Sequence, residues 1–262
     1  MSLVVQGLTI EHGGRRLVDD VSFEVGSGER LGIIGESGSG KSLTALAIMG
    51  LLPYGMQLTG SITWQGQELV GLRDREMAEI RGDQIGIVFQ EPRTALNPIR
   101  TIGRQIAEAV RLHEPVTRRE AAQRAMTEAT RVKLRDPESI VRRYPHQLSG
   151  GQRQRAAIAM ALAPAPQLLI ADEPTTALDV TIQKGVLELL GSLVADRQMS
   201  LLFITHDLAV LAQVASSAVV LADGRVIEAA PVSTLLAAPQ HPITQALVRD
   251  ATATIWRAEE GS

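Results

Sequence analysis

Short apolar runs, each bounded by glycine, proline or charged residues, recur along the chain and predict β-strands. Three of them precede residue 35 and predict an N-terminal antiparallel β part. The two-residue turns Gln65-Gly66 and Asp223-Gly224 each predict a hairpin between adjacent strands. The predicted strands lie in LVVQGLTIEH, LVDDVSFEVG, RLGIIG, GSITWQGQEL, QIGIVFQ, QLLIADEP, SLLFITHD and AVVLADGRVIEAA.

Other segments show the periodicity or the composition of helices. Apolar residues at helical spacing predict a helix over 42–52, and a second apolar helix follows Ser149 and runs to Ala163. Between these two, residues 101–143 have a polar helical pattern that is clearest in RREAAQRAMTEATRVKLRD. Strands that alternate with helices predict an α/β fold with a mainly parallel sheet.

The helical block at about 91–158 interrupts this alternation, and we predict that it forms an inserted helical lobe. The core lobe then comprises about 1–90 and 159–250 of a single domain that spans residues 1–262. The tail at 251–262 is expected to be loosely held, as chain ends often are. No internal repeat or low-complexity linker divides the chain.

Composition narrows the classes of function. The chain has no cysteine, which excludes disulfides, thiolate zinc sites and cysteine-ligated iron–sulfur clusters. Its net charge of −3 does not suggest a protein that binds nucleic acid through bulk electrostatics. The N-terminus lacks the features of a signal peptide, and Pro164 and Pro166 break the most apolar stretch, Ala156 to Ala171. We expect a soluble chain whose membrane role, if any, comes through a partner.

The stretch GESGSGKS matches the phosphate-loop pattern, with a predicted strand before it and a predicted helix after it. Glycines allow backbone N–H groups to converge on an anion, which the helix dipole also favours. Lys41 would reach the β- and γ-phosphates of a nucleotide, and Ser42 would ligate Mg²⁺. The predicted nucleotide contacts are Gly35, Glu36, Ser37, Gly38, Ser39, Gly40, Lys41, Ser42 and Thr44.

Two further stretches carry candidate chemistry. The buried strand in LLIADEP ends in Asp172, placed to contact Mg²⁺, and Glu173, which could act as the general base for an attacking water. In LSGGQRQR, Ser149 is a natural N-cap, and the glycines after it expose N–H groups to an anion. From the residues alone, an ordinary capped helix is the better interpretation of this second stretch.

Taken together, these stretches resemble the ATP-binding subunits of ABC transporters. The resemblance covers about residues 3 to 250. It rests on the phosphate loop at 35–42, Gln90 after GIVF, LSGGQ at 148–152, LLIADE at 168–173, ALD at 177–179 and ITHD with His206. The order of all six elements is specific, whereas no single element would be.

The resemblance implies a role for each motif. Two ATPase subunits of this family meet head to tail, so Gly35–Ser42 would hold this chain's ATP. Ser149, Gly150, Gly151 and Gln152 would hold the ATP of the partner. Gln90 would sense Mg²⁺ and the attacking water, His206 would contact the γ-phosphate, and Asp179 would lie at the dimer seam. His12 stands where the family usually has an aromatic residue on adenine, and imidazole offers less stacking surface.

Several phrases resemble the peptide and nickel importer branch of the family, among them FQEPRTALNPIRTIGRQIAEA, YPHQLSGGQRQR and HPITQALV. This branch implies a second ATPase subunit, either a different chain or a second copy, and two transmembrane permease subunits. It also implies an extracytoplasmic solute-binding protein and a peripheral location on the cytoplasmic face of the inner membrane. The branch leaves the cargo open between peptides and nickel or metal chelates.

Two other classes of function compete with a transporter subunit. A non-transport ABC ATPase could act on DNA or on the ribosome, but the 105 residues at 43–147 lack sustained heptads and the chain has one cassette. A nucleotide kinase would transfer a phosphoryl group to a metabolite, but LSGGQ and the lack of an arginine-rich acceptor site count against it.

Overall fold

The computed structural model describes residues 2–176 and 178–260, without the side chains of Arg93, Thr94 and 253–260. It divides into two compact units, one formed by 1–77 with 200–262 and the other by 78–199. We call these the first unit and the second unit. The predicted boundaries of the core lobe and the helical lobe differ from these limits and stay predictions. Ala177 and residues 261–262 of the predicted loose tail lie outside the described residues.

Strands and helices follow in chain order. The strands are β1 Leu3–His12, β2 Arg15–Val25, β3 Arg30–Ile34, β4 Gln57–Trp64, β5 Gln67–Glu68, β6 Ile85–Val88, β7 Leu168–Asp172, β8 Ser200–Thr205, β9 Ser217–Ala222 and β10 Arg225–Pro231. The helices are α1 Lys41–Ile48, α2 Asp74–Ile80, α3 Pro92–Ala95, α4 Ile102–His113, α5 Arg118–Arg131, α6 Pro137–Ile140, α7 Gly150–Leu162, α8 Val180–Asp196, α9 Leu208–Leu211, α10 Val232–Ala237 and α11 Pro242–Glu260.

The first unit contains the predicted antiparallel part and a parallel group of strands. β1 pairs antiparallel with β2 and with β4, and its residues alternate between buried and more exposed positions, as one-sided strands do. β3 pairs in parallel with both β8 and β9, while β10 returns antiparallel along β9. Every residue of β8 is buried, which is the pattern of a strand covered on both faces.

The second unit packs helices around a short parallel strand pair. β6 and β7 run in parallel register from Ile85 opposite Leu168 to Val88 opposite Ala171. Helix α7 buries a stripe of small and branched residues, including Ile158 and Leu162, against its neighbours. Within this packing, the buried carboxylate of Glu128 accepts hydrogen bonds from Arg131 at 2.8 Å and Arg197 at 2.5 Å.

Two predicted helices are too long at their C-terminal ends. The helix predicted over 42–52 ends at Ile48, since Gly50 adopts a positive φ of 60° that interrupts the α-helical path. The helix predicted from Arg118 to Asp136 ends at Arg131, because Lys133 and Asp136 both have left-handed backbones. The sequence interpretation did not assign α8 and α11, although α8 has 17 residues.

Candidate active site

The phosphate loop of the first unit packs tightly against neighbouring residues at both of its ends. A Cβ on Gly35 would lie 2.1 Å from the carbonyl oxygen of Leu221, so no side chain fits there. At the other end, Gly40 has a φ of 99°, and a Cβ on it would lie 2.9 Å from Val18 Cγ2 and 3.0 Å from the Leu17 oxygen. Glycine is therefore required at both positions, by contact at Gly35 and by contact and backbone conformation at Gly40.

The same loop fits a phosphate group. Lys41 opens α1 and is 5% exposed, and its ammonium group donates to the carbonyl oxygens of Gly35 at 2.8 Å and Glu36 at 2.7 Å. Gly40 caps α1 without any side-chain hydrogen bond to the first turn, which leaves that helix start open to an anion. The hydroxyl of Ser39 is buried and has no hydrogen-bond partner among the described residues. A buried unpaired hydroxyl is costly, and a phosphate oxygen would satisfy it.

Two further predicted site residues of the first unit, His12 and His206, lie at the ends of strands β1 and β8. His12 ends β1, is exposed, and has its Nδ1 3.3 Å from the carbonyl oxygen of Gly55. His206 directly follows β8 and is exposed. The turn after it is held by Asp207, whose carboxylate accepts from the N–H groups of Ala209 at 2.8 Å and Val210 at 3.2 Å. The backbone that presents His206 is therefore fixed by a helix cap.

Gln90 and Glu173 meet in the second unit. Asp172 ends the buried strand β7 and is itself buried, and Glu173 follows in a left-handed conformation with a φ of 45°. Such a backbone is uncommon for residues other than glycine and is often found at functional sites. The amide nitrogen of Gln90 donates to Glu173 Oε2 at 3.2 Å. A carboxylate only accepts, so the amide carbonyl is the end of Gln90 that can coordinate a cation.

One residue of this group, Thr176, was not predicted from the sequence. The hydroxyl of Thr176 donates to the same oxygen of Glu173 at 2.8 Å. Both hydrogen bonds restrain the orientation of the carboxylate, which is half-buried. The signal available in the sequence was a threonine three residues after the acid, a spacing that suits a side-chain contact across a turn.

The helix start predicted to bind an anion has the expected cap. Ser149 Oγ accepts from the N–H of Gln152 at 3.2 Å, and Gln152 Oε1 accepts from the N–H of Ser149 at 3.0 Å. This capping box places Gly150 and Gly151 in the first turn of α7. A cavity of about 390 Å³ beside it is lined by Ser149, Gly151, Gln152, Lys133, Arg135, Arg155, Leu134, Thr181, Ile182 and Gly185. Three cationic side chains therefore line the cavity at this helix start.

Two arginines of the LSGGQRQR motif bind the backbone of segments that surround helix α7. Arg153 donates to the carbonyl oxygens of Pro145 at 2.9 Å and Leu148 at 2.7 Å, which fixes the segment that leads into α7. Arg155 donates to Val132 at 2.9 Å and to Gly185 at 3.2 Å, and its burial lowers the pKa of the guanidinium. Guanidinium groups stay charged in proteins, so Arg155 remains a cation that joins three segments.

Asp179 caps a helix of its own chain. Its carboxylate accepts from the N–H of Ile182 at 2.9 Å, at the start of α8. The residue is exposed, and a Cβ added to Gly151 would lie 2.6 Å from Ile182 Cγ2. The start of α8 thus packs directly on the start of α7, so the position of Asp179 is tied to that of Ser149–Gln152.

No group of three or more histidine or acidic side chains within 2–176 and 178–260 has the geometry to hold a metal ion. In the part of the chain that the structure describes, no helix combines the length and the apolar character needed to cross a bilayer.

Comparisons with known proteins show the family of the chain. The family model described as ABC transporter matches residues 18–176. A probable peptide ABC transporter ATP-binding protein, y4tR of Sinorhizobium fredii, is 50% identical over 240 residues, which are 91% of this chain and 72% of the relative. The dipeptide transport ATP-binding protein DppD of Escherichia coli is 47% identical over 235 residues, which are 89% of this chain and 72% of DppD.

A solved structure shows the same fold. The ATP-binding cassette MJ0796, in a dimeric post-hydrolysis state with ADP and Pi, has a TM-score of 0.77 and 30% sequence identity, and the match covers 88% of this chain and 99% of that chain. The predicted P-loop α/β fold with its antiparallel N-terminal sheet is confirmed, and none of these relatives favours the non-transport alternative. The chain therefore belongs to the ABC transporter family, as one of its ATP-binding and ATP-hydrolysing subunits.

Proposed function

We propose that this chain powers the import of peptides across a membrane by hydrolysing ATP. The observation that carries the proposal is the presence in one chain of two separate anion sites. One is the phosphate loop with its unpaired Ser39 hydroxyl, and the other is the capped start of α7. A chain that bound one nucleotide for itself alone would need only the first of them.

The described contacts suit distinct roles in hydrolysis. Lys41 and the N–H groups after Gly40 neutralise the negative charge of the phosphates. Glu173, oriented by Gln90 and Thr176, accepts the proton of the attacking water. His206 contacts the γ-phosphate from a fixed turn, and His12 contacts the adenine ring. These assignments follow the family motifs at each position.

Magnesium is the proposed metal. Ser42, Gln90 and Asp172 offer a hydroxyl, an amide carbonyl and a carboxylate, which are the hard oxygen ligands that Mg²⁺ prefers. Few protein ligands are needed, because Mg²⁺ in phosphoryl transfer is shared with the phosphates and water. When bound, the ion would neutralise charge that develops on the phosphate oxygens.

We propose that the α7 start serves the nucleotide of a second ATPase subunit, either a different chain or another copy. The positive lining of its cavity by Lys133, Arg135 and Arg155 favours a polyanion. Two permease subunits would move in response to ATP binding and hydrolysis, and a solute-binding protein would deliver cargo to them. The chain would then sit at the cytoplasmic face of the inner membrane.

Peptides are the proposed cargo because the similar proteins y4tR and DppD carry peptide and dipeptide in their names. Nickel or other metal chelates are the second cargo to be tested. The test uses proteoliposomes that contain the permease subunits recovered with this chain from membranes, together with both ATPase subunits. Uptake of a labelled tripeptide and of a labelled Ni²⁺ chelate is measured with internal ATP, beside a Lys41→Ala control.

We expect ATP-dependent uptake of the peptide, no such uptake of the chelate, and loss of both uptake and hydrolysis in Lys41→Ala. The isolated chain should hydrolyse ATP far more slowly than the assembled complex, because half of each site comes from a partner. Uptake of the chelate alone would overturn the peptide assignment. Recovery of ribosomes or DNA-bound proteins in place of permeases would overturn the transport assignment.

A further inference from the structure

We propose that Arg16, Asp19 and Arg225 form an ionic clamp that positions the phosphate loop, with Asp19 as a positioning residue for nucleotide binding. We call these three residues the Asp19 clamp. The inference rests on the proposed function, because it concerns the affinity of the phosphate loop for ATP. It assigns a role to three residues that are not part of the phosphate loop.

The clamp is centred on one carboxylate. Asp19 Oδ2 accepts from Arg225 Nε at 2.7 Å, and Asp19 Oδ1 accepts from Arg16 Nη1 at 2.9 Å. A second guanidinium nitrogen of Arg225 also contacts Oδ2. The N–H of Asp19 donates to the carbonyl oxygen of Gly224 at 2.8 Å. Strand β2 is therefore joined to the turn between β9 and β10 by both side chain and backbone.

The joined segments are also the surfaces against which the phosphate loop packs. Leu17 and Val18, immediately before Asp19, lie against Gly40 closely enough to exclude a Cβ there. A Cβ on Gly224 would likewise lie 2.7 Å from the Leu17 oxygen. At the other end of the loop, Gly35 lies against the oxygen of Leu221, which precedes the same β9–β10 turn. Both ends of the loop thus rest on segments that the clamp connects.

The exposure of the clamp residues indicates whether the clamp mainly positions the phosphate loop or mainly stabilises the fold. Only 11% of the Asp19 side chain is exposed, but the side chains of Arg16 and Arg225 are 59% and 67% exposed. They line an open polar groove of about 730 Å³, to which Glu11 and Asp20 contribute further negative charge. Because both arginine side chains are largely exposed, the ion pairs are expected to contribute only modestly to the free energy of folding, and the main effect of the clamp is expected on the loop that it holds.

The test measures the affinity of the full chain for ATP with Mg²⁺ by calorimetry at low temperature. Asp19→Asn and Arg225→Met each remove one side of the main contact, and the double variant removes both. Arg73→Met is the matched control, because Arg73 makes an exposed ion pair with Glu76 at 2.6 Å and is not among the loop's contacts described above. The melting temperature of each variant is measured without nucleotide.

We expect each single variant to weaken ATP binding about fivefold or more, within the usual range of coupling between sites. The double variant should be no weaker than the single ones, because both residues act through one contact. Arg225→Lys should recover part of the affinity. Arg73→Met should bind like the parent, with a change in melting temperature comparable to that of the clamp variants.

Parental affinity in folded Asp19→Asn and Arg225→Met would overturn the clamp, as would losses that simply add in the double variant. If Asp19→Asn does not fold, Arg225→Met decides, since the backbone bond of Asp19 to Gly224 remains in it. Lys41→Ala distinguishes a failure of the proposed function from a failure of the clamp alone. If it binds ATP like the parent, the proposed role of the phosphate loop fails; if it alone loses binding, only the clamp fails.

Discussion

The amide nitrogen of Gln90 donates a hydrogen bond to the carboxylate of Glu173 at 3.2 Å, although the two residues are 83 positions apart. This contact connects the segment after β6 with the end of β7, whose strands are paired in parallel. A change in the position of the Gln90 segment would therefore change the orientation of the Glu173 carboxylate.

Glu173→Gln is expected to abolish most hydrolysis and to leave ATP binding intact. The amide keeps the size of the side chain but cannot accept a proton, and a positioned general base contributes about 10²–10⁴-fold. Turnover is measured in the assembled complex, and affinity in the isolated chain. Glu188→Gln, an exposed carboxylate on α8, is the control and should match the parent. Parental turnover of Glu173→Gln would exclude it as the base.

Thr176→Val is expected to lower turnover by up to about tenfold with little change in ATP affinity. It removes the hydroxyl that donates to Glu173 at 2.8 Å, and a hydrogen bond to a charged group contributes on the order of 1.5 kcal/mol. Steady-state kinetics of the complex separate kcat from KM. Thr176→Ser, which keeps the hydroxyl, should stay close to the parent. Parental turnover of Thr176→Val, or a loss confined to Thr176→Ser, would show that the hydroxyl does not matter.

Glu128→Gln is expected to destabilise the second unit by about 3 kcal/mol. The Glu128 side chain is 7% exposed and bonds to Arg131 and Arg197, and breaking a buried ion pair leaves an uncompensated charge. Urea unfolding measures the change in the free energy of unfolding. The exposed Glu138→Gln on α6 is the control and should change it by less than about 0.5 kcal/mol. A similar small change for Glu128→Gln would contradict a structural role for the pair.

The pH dependence of stability should report on Asp19. The hydrogen bond from Arg225 holds the pKa of Asp19 below its usual value, with a smaller contribution from Arg16 and against the opposing effect of burial. Because the folded pKa lies below the unfolded one, the stabilisation is complete above about pH 4 and is lost as the pH falls through the folded value. Asp19→Asn should therefore unfold more easily at pH 7 and lose less stability on acidification.

Unfolding by urea at pH 7, 5, 4 and 3 measures this difference, with the exposed Glu24→Gln as the control for the loss of one carboxylate. The difference in stability between the parent and Asp19→Asn should shrink as the pH falls below about 4, because protonation of Asp19 in the parent removes its ionic contacts with Arg225 and Arg16. Parallel curves over the whole range would contradict the lowered pKa of Asp19.

Local pattern made much of this site predictable from the sequence. The phosphate loop and the Ser149 cap each lie within a few consecutive residues, so their chemistry depends on spacing that the sequence displays directly. The Lys41 contacts to Gly35 and Glu36 and the reciprocal cap between Ser149 and Gln152 follow from such spacing. The fold class was predictable for the same reason, since strand and helix periods are local.

Contacts between distant segments were not predictable in this way. Asp19 and Arg225 are 206 positions apart, and neither residue stands out among the charged residues of its strand. The end of helix α5 was misplaced because the left-handed backbone of Lys133 has no signal in that residue type. Thr176 was overlooked because the sequence does not display the left-handed backbone of Glu173, the residue that the Thr176 hydroxyl contacts.

The central claim is that the two anion sites of one chain serve two different ATP molecules, and Ser149→Arg tests it most directly. The substitution places a bulky cation at the start of α7 and removes a cap that contributes about 1 kcal/mol. Thr117→Arg is the matched control, because Thr117 forms the same kind of capping box with Glu120 on α5. The measurement is the ATP affinity of the isolated variant beside ATP-dependent subunit pairing and hydrolysis in the complex.

The account predicts that isolated Ser149→Arg binds ATP like the parent, since Lys41 and the phosphate loop are unchanged. Pairing and hydrolysis in the complex should fall strongly in Ser149→Arg and stay near the parental level in Thr117→Arg. The contrary result is loss of ATP binding by the isolated Ser149→Arg chain while circular dichroism shows it folded. Ser149 would then serve the nucleotide of its own chain, and the assignment of the two sites to two ATP molecules would be wrong.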